Sequence, residues 1–294
     1  MATPIKFGTD GWRAIIAAEF TVENVARVTE ATGLWLKERF ENPSVVLGHD
    51  CRFAGELFME TAAKVLLAQG IHVKLSRGFV STPMISLAAN QLGCEVGIIL
   101  TASHNPPSYN GFKLKAKFGG PLEPEKINEV EALIPDTCSI DFNSIDLQAA
   151  QKSGQLEEID IETRYINHVK ANFDLAAIDQ SGLHLMYDAM YGAGQRVMPL
   201  ILPKVSLLHC EHNPSFMGTA PEPIAKNLQE LAQTIKNQGD IACALATDGD
   251  ADRIGLYNSH GEFVDSHHII LLLIHYLVKY KQMSGKVVIA FSVT

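Results

Sequence analysis

Residues 71–100 read IHVKLSRGFVSTPMISLAANQLGCEVGIIL. The head, IHVKLS, has the composition of a strand. TPMISLAANQL is a helix with Pro83 in its first turn, where a missing N–H leaves no bond unmade. EVGIIL is a second, fully apolar strand. Upstream, TVENVARVTEATGLWLKERF starts on Thr21, an N-cap residue, with Asn24 where a capping box would place Glu or Gln. Its Val25, Val28, Trp35 and Leu36 recur at helical spacing. SVVLGHD is a buried strand and residues 54–69 are a helix. Strands alternating with helices in this way imply an α/β sheet covered on both faces.

Downstream, residues 136–160 are polar and weakly periodic, the character of a linker or an edge excursion. A second α/β pattern follows: LHLMYD (strand), GAGQRVMPLIL (helix), KVSLLHC (strand), IAKNLQELAQTIKNQ (helix) and IACALA (strand). RIGLYNSHGEFV reads as a hairpin turning at His260-Gly261, residues 267–281 as a helix and KVVIAFSVT as the start of a strand. A helix and one strand bury too little apolar surface to make a domain. Residues from about 258 are therefore expected to open an incomplete third domain, unless they pack on the second as an extra layer.

The chain has 294 residues, 47% hydrophobic and 19% charged, with net charge −9 and pI near 5.6. No Lys/Arg run stands out, so no nucleic-acid partner is expected; an anionic ligand remains compatible if the few cations converge. Cys51, Cys94, Cys138, Cys210 and Cys243 are odd in number, with no C-x-x-C, against both a disulfide framework and a thiolate zinc site. The N-terminus has no apolar signal region, and Ile269–Val278 is too short to span a bilayer. A cytoplasmic protein without a membrane partner is the expectation.

Two stretches carry chemistry. In TDGDADR, Asp248, Asp250 and Asp252 alternate directly after an apolar strand. Such carboxylates can turn onto one hard cation, Mg²⁺ or Ca²⁺. An EF-hand, and with it a calcium-binding structural role, would need Gly and Glu where Arg253 and Ser259 stand. The second stretch is LTASHNPPSYNGFK, residues 100–113: Ser103 follows a strand end, with His104 beside it, Pro106, Pro107 and Gly111 shaping the backbone, and Lys113 beyond. It is not a G-x-S-x-G elbow, and the chain has no P-loop. YGAGQRV lacks the third glycine of a dinucleotide fingerprint and is a tight turn whose amides could meet an anion. Alone, S-H-N is also an Asx-type turn. Together, a strand-end serine and a strand-end aspartate triplet suit a phosphorylated serine facing a metal, with Arg253 neutralising a further phosphate oxygen.

Three segments in order, FGTDGWRA, TASHNPPSYNGFK and DGDADR, resemble the α-D-phosphohexomutase superfamily, with GFVSTPM and DAMYGAG in support. The resemblance implies repeated three-layer α/β/α domains with mixed sheets. Domain I would cover 1–140, domain II 155–257 and the beginning of domain III 258–294, with domain IV absent. It implies Ser103 as phosphoserine, Asp248, Asp250 and Asp252 as Mg²⁺ ligands with an oxygen on Ser103, and Arg253, His104 and Asn105 around the phosphate. Lys113 and Arg13 match residues of proton handling; a guanidinium stays protonated, so Arg13 is assigned to charge stabilisation first. The implied reaction interconverts hexose 1-phosphate and hexose 6-phosphate through a hexose 1,6-bisphosphate. Glucose phosphate is the favoured substrate, with mannose and glucosamine phosphates as alternatives. The family's sugar-recognition and phosphate-clamping loops are not in the sequence, so a fragment, inactive alone, or a non-catalytic Mg²⁺- and phosphate-binding module is expected.

Overall fold

A computed structural model describes residues 4–8 and 11–288. The first sheet forms from β1 (Trp12–Ile15), β2 (Ser44–His49), β3 (His72–Ser76), β4 (Val96–Leu100), β5 (Tyr109–Ala116) and β6 (Leu156–Ile159), in the order β1-β5-β4-β2-β3-β6. Strands β4, β2, β3 and β6 are parallel, and β5 and β1 add antiparallel on one side.

The apolar strands read as continuous runs because both faces are covered. Val45, Leu47, Ile98 and Leu100 point to helices α1 (Val22–Arg39) and α2 (Gly55–Ala68), where Val25, Val28, Leu36, Phe58 and Leu66 meet them. Their neighbours Val46 and Ile99 point the other way, onto Met84, Ile85 and Ala88 of α3 (Thr82–Leu92). The period-2 alternation of strand side chains thus feeds two cores from one sheet. Thr21 caps α1 by accepting the Asn24 N–H at 3.2 Å, and Ser81 caps α3.

The polar stretch 136–160 is not a linker throughout. After α4 (Pro124–Ala132) the chain forms α5 (Leu147–Ser153), capped by Asp146 and stopped by Gly154 at φ +81°. That left-handed turn sends the chain back along β3 as β6, so the first sheet closes at Ile159 rather than at residue 140. Helix α6 (Ile161–Asn172) then packs Ile161 and Ile166 against the α3 core.

After α7 (Leu175–Gln180) comes the second sheet: β7 (His184–Asp188), β8 (Ser206–Leu208), β9 (Ile241–Thr247), β10 (Ile254–Asn258) and β11 (Phe263–Val264), in the order β11-β10-β9-β7-β8. β7, β8 and β9 are parallel; β10 and β11 are antiparallel. GAGQRVMPLIL forms only a 3₁₀ turn and the short α8 (Met198–Ile201): Pro199, in the first turn of α8, has no N–H to continue a helix from the preceding turn, and Leu202, non-helical before Pro203, ends it. Helix α9 (Gln229–Gln238) starts later than its apolar pattern suggested and buries Leu231 and Ile235 against Met186, Ala244 and Tyr257.

The hairpin turns at Gly261, and β11 joins the second sheet, so this sheet reaches Val264, past residue 257. Asp265 caps α10 (Ser266–His275), on which Leu271, Leu272 and Leu273 are exposed. The strand expected in KVVIAFSVT is not formed over 286–288, and its remainder lies outside the described residues. Among the described residues no helix is long and apolar enough to cross a membrane.

Candidate active site

The carboxyl ends of β4 and β9 face each other, and their loops touch. A Cβ on Gly249 would stand 2.5 Å from the Ser103 carbonyl oxygen, so that position accepts only glycine.

Ser103 is 1% exposed and sits at φ +53°, a left-handed backbone that costs a non-glycine residue ~1–2 kcal/mol unless its surroundings fix it. Its N–H donates to Thr101 Oγ1 at 2.9 Å, and Thr101 Oγ1 donates to Asp50 Oδ2 at 2.5 Å. The Asn105 N–H reaches the Ala102 carbonyl and the Tyr109 N–H the Pro106 carbonyl, both at 3.0 Å, so the proline pair sits within consecutive turns. Beyond Ser108 the quoted loop becomes β5. Strand pairing places Lys113 beside Ile99 and Arg13 opposite Gly111. Arg13 Nη1 donates to Asn105 Oδ1 at 3.0 Å.

Ser103 Oγ donates to Asp248 Oδ2 at 2.7 Å, a bond from the first unit to the second. His104 Nδ1 lies 3.4 Å from the same Oγ. Burial, then the charges of Arg253 and Arg13, lower the His104 pKa below its usual value. Asp248 Oδ1 accepts the N–H groups of Asp252 and Arg253 at 3.0 and 3.1 Å. Arg253 therefore engages through its backbone, while its exposed guanidinium acts on His104 by charge.

The aspartates have unlike environments. Burial, then the charges of Asp250 and Asp252, raise the Asp248 pKa well above the carboxylate range. Burial pushes Asp250 the same way, but Lys113 outweighs it and holds Asp250 low: Lys113 Nζ donates to Asp250 Oδ2 at 2.8 Å and to Asp252 Oδ2 at 3.3 Å. Thr82, at the first position of α3, donates its hydroxyl to Asp250 Oδ2 at 2.6 Å and its N–H to the Asp250 carbonyl at 2.9 Å. Asp250 Oδ1 is buried without a hydrogen-bond partner, and one oxygen from each aspartate lies within 4.8 Å of the others. An orphaned buried carboxylate oxygen needs a partner. A hard divalent cation is the partner that three carboxylates suit.

Residues 4–139 match the phosphoglucomutase/phosphomannomutase alpha/beta/alpha domain I, and residues 163–261 match domain II of the same family. The chain belongs to the phosphoglucomutase/phosphomannomutase family. A phosphoglucomutase/phosphomannomutase of Thermococcus kodakarensis is 34% identical over 274 residues, 91% of this chain and 58% of that protein. A phosphoglucosamine/phosphogalactosamine mutase of Sulfurisphaera tokodaii is 31% identical over 87% of this chain and 55% of its own length. The crystal structure of a Thermus thermophilus protein assigned as a phosphomannomutase superposes with a TM-score of 0.86 at 36% identity, covering 96% of this chain and 63% of that one. The chain thus spans less than two thirds of each of these mutases.

The structure gathers Ser103, His104, Lys113, Asp248, Asp250 and Asp252 into one cluster and brings Arg13 to it through Asn105. Sequence reading missed Thr82, Asp50 and Arg52. Their signals were present: Thr82 lies in GFVSTPM, a stretch already tied to the phosphoglucomutase/phosphomannomutase pattern. GHDCRF places an Asp and an Arg after a buried strand, as TDGDADR does.

Proposed function

We propose that this chain is the phosphoryl-transfer half of a phosphohexomutase, with Ser103 as the phosphoryl carrier and Mg²⁺ held by Asp248, Asp250, Asp252 and an oxygen on Ser103. The observation that carries the reading is the 2.7 Å contact of Ser103 Oγ with Asp248, which joins a nucleophile and a cation-binding carboxylate from different units.

Bound there, Mg²⁺ would supply charge neutralisation at the phosphoryl oxygens. The chain's own residues then have distinct tasks. Lys113, bonded to two carboxylates, is an ammonium that offsets their charge at the site. Arg13 and Arg253 bring positive charge to the side of the loop where a phosphate of about −2 would sit. In the forward step the phosphorus–Oγ bond breaks as a bond from phosphorus to a sugar hydroxyl oxygen forms. The proton that the sugar hydroxyl loses is balanced by the one that Ser103 Oγ gains, so the transfer is proton-neutral; His104 Nδ1 and Asp248 Oδ2 flank that oxygen. The hexose 1,6-bisphosphate so formed turns over in the cleft and gives its other phosphate back to Ser103. Glucose phosphate is the favoured substrate; mannose and glucosamine phosphates are the alternatives, and relatives carrying each of these names support the hexose class.

Incubation with glucose 1,6-bisphosphate and Mg²⁺ should leave one phosphate on the protein, mapped to Ser103 by mass spectrometry, and Ser103→Ala should take up none. Phosphate on Thr101 or Ser108 in the wild type would overturn the choice of nucleophile. Relative turnover of glucose, mannose and glucosamine 1-phosphates by the protein as its gene encodes it sets the substrate.

A further inference from the structure

Arg52 lies just past β2, and its side chain has no solvent exposure. Its Nη1 donates to the carbonyls of Pro106 and Tyr109, both at 2.9 Å. Its Nη2 donates to the carbonyls of Ser103 at 2.7 Å and Asn105 at 2.6 Å. Its Nε faces Asp50 Oδ2 at 3.3 Å as an ion pair, without a well-aligned hydrogen bond. Every N–H of the guanidinium is thus directed at the Ser103 loop or at Asp50.

Asp50 in turn accepts the Arg52 N–H at 2.9 Å and the Thr101 hydroxyl, and Thr101 accepts the Ser103 N–H. From the second unit, the Phe216 ring covers the guanidinium at 5.1 Å. Four carbonyls of residues 103–109 converge on one planar cation from below, while the Thr101 hydroxyl holds the amide of the residue that turns left-handed. A lysine could not reproduce this, because its three donors radiate from one point and cannot span four carbonyls in a plane.

We propose that Arg52, with Asp50 and Thr101, is the positioning unit for the Ser103 loop: it fixes where Oγ stands by holding the loop's backbone, and does not bind the phosphate. A guanidinium with its donors already committed has none left for a phosphoryl oxygen. Release of the clamp frees Ser103 to leave its left-handed turn, and a displacement of ~1 Å at the reacting atom costs ~10²-fold in rate. The proposal rests on the reading of Ser103 as phosphoryl carrier.

The test uses the protein as its gene encodes it, with Arg52→Lys, Thr101→Val and Thr101→Ser. Phosphate uptake from glucose 1,6-bisphosphate with Mg²⁺ is followed by intact mass over a range of bisphosphate concentrations, and the modified residue is mapped. Arg52→Lys is expected to lower the saturating rate ~10²-fold, to leave the half-saturating concentration within about twofold, and to divert part of the phosphate to Ser108. Thr101→Val is expected to slow uptake about tenfold, while Thr101→Ser, which keeps the hydroxyl, stays near the wild-type rate. A wild-type saturating rate in folded Arg52→Lys overturns the proposal. So does a raised half-saturating concentration at an unchanged rate, the mark of a phosphate ligand. If Arg52→Lys does not fold, a wild-type rate in Thr101→Val overturns it. A wild-type protein that takes no phosphate on Ser103 instead removes the reading beneath it.

Discussion

The loop carrying Ser103 and the loop carrying Asp248, Asp250 and Asp252 both leave the carboxyl end of a buried strand, yet they are held in opposite ways. The serine loop takes its shape from its own unit, through Arg52, Asp50 and Thr101. The aspartate loop has its charge balanced by the other unit, through Lys113 and Thr82. Small displacements of one unit against the other should therefore leave the serine in shape while changing how readily the aspartates accept a cation. On the proposed reading, the backbone around Ser103 is held mainly within the first unit, whereas cation affinity would depend on both units.

Removing the balancing charge should have the largest effect. Lys113→Met leaves Asp250 buried without its cation, and losing one partner of a buried pair costs about 3–5 kcal/mol. Denaturant unfolding in EDTA should register that loss, and saturating Mg²⁺ should recover much of it, because a ligand that binds only the native state stabilises it. Equal stability of variant and wild type in EDTA would break the contrast between the loops.

Thr82→Val tests the inter-unit tie more gently. It removes the hydroxyl on Asp250 while keeping the side chain's volume, and loss of an outer-shell partner typically weakens metal binding ~10–100-fold. A Mg²⁺ titration should show a loss of about tenfold or more, with little change in melting temperature. Unchanged affinity would mean that Asp250 needs no help from the first unit.

The smallest effect concerns a tie inside the second unit. His209 Nδ1 meets Asp188 at 3.0 Å and Nε2 meets Glu230 at 3.3 Å. The hydrogen bond to Asp188, then the charges of Asp188 and Glu230, raise the His209 pKa above its usual value against the opposing effect of burial. A raised histidine pKa stabilises fully below the ordinary value near 6.5 and loses that contribution as pH rises through the folded value. His209→Asn, which tolerates the left-handed backbone at φ +48°, should therefore melt below the wild type near pH 6, and the gap should narrow by pH 9. A gap independent of pH would contradict the assignment.

What could be read from the residues follows the same division. SVVLGH and VGIIL stood out because both faces of their sheet are covered, which leaves no polar alternation to blur them. WRAI and LEEI did not, because four-residue strands at the sheet's edges carry too few buried side chains to make a pattern. Ser103 and the aspartates were legible because each set is contiguous in the chain. Thr82 and Asp250 stand 168 positions apart, and no spacing along the sequence announces that a helix N-terminus in one unit will meet a carboxylate in the other. Arg52 was hidden differently: it serves the loop through backbone carbonyls, which every residue type supplies.

The central claim, that serine and aspartates from two units form one cation site, is tested most directly by the anomalous signal of Mn²⁺ in crystals of the protein. The account predicts a single peak in contact with Asp248, Asp250, Asp252 and an oxygen on Ser103, at roughly 2.0–2.2 Å from the ligand oxygens. A map at millimolar Mn²⁺ with no peak there, and with Lys113 still bonded to Asp250 and Asp252, would contradict it.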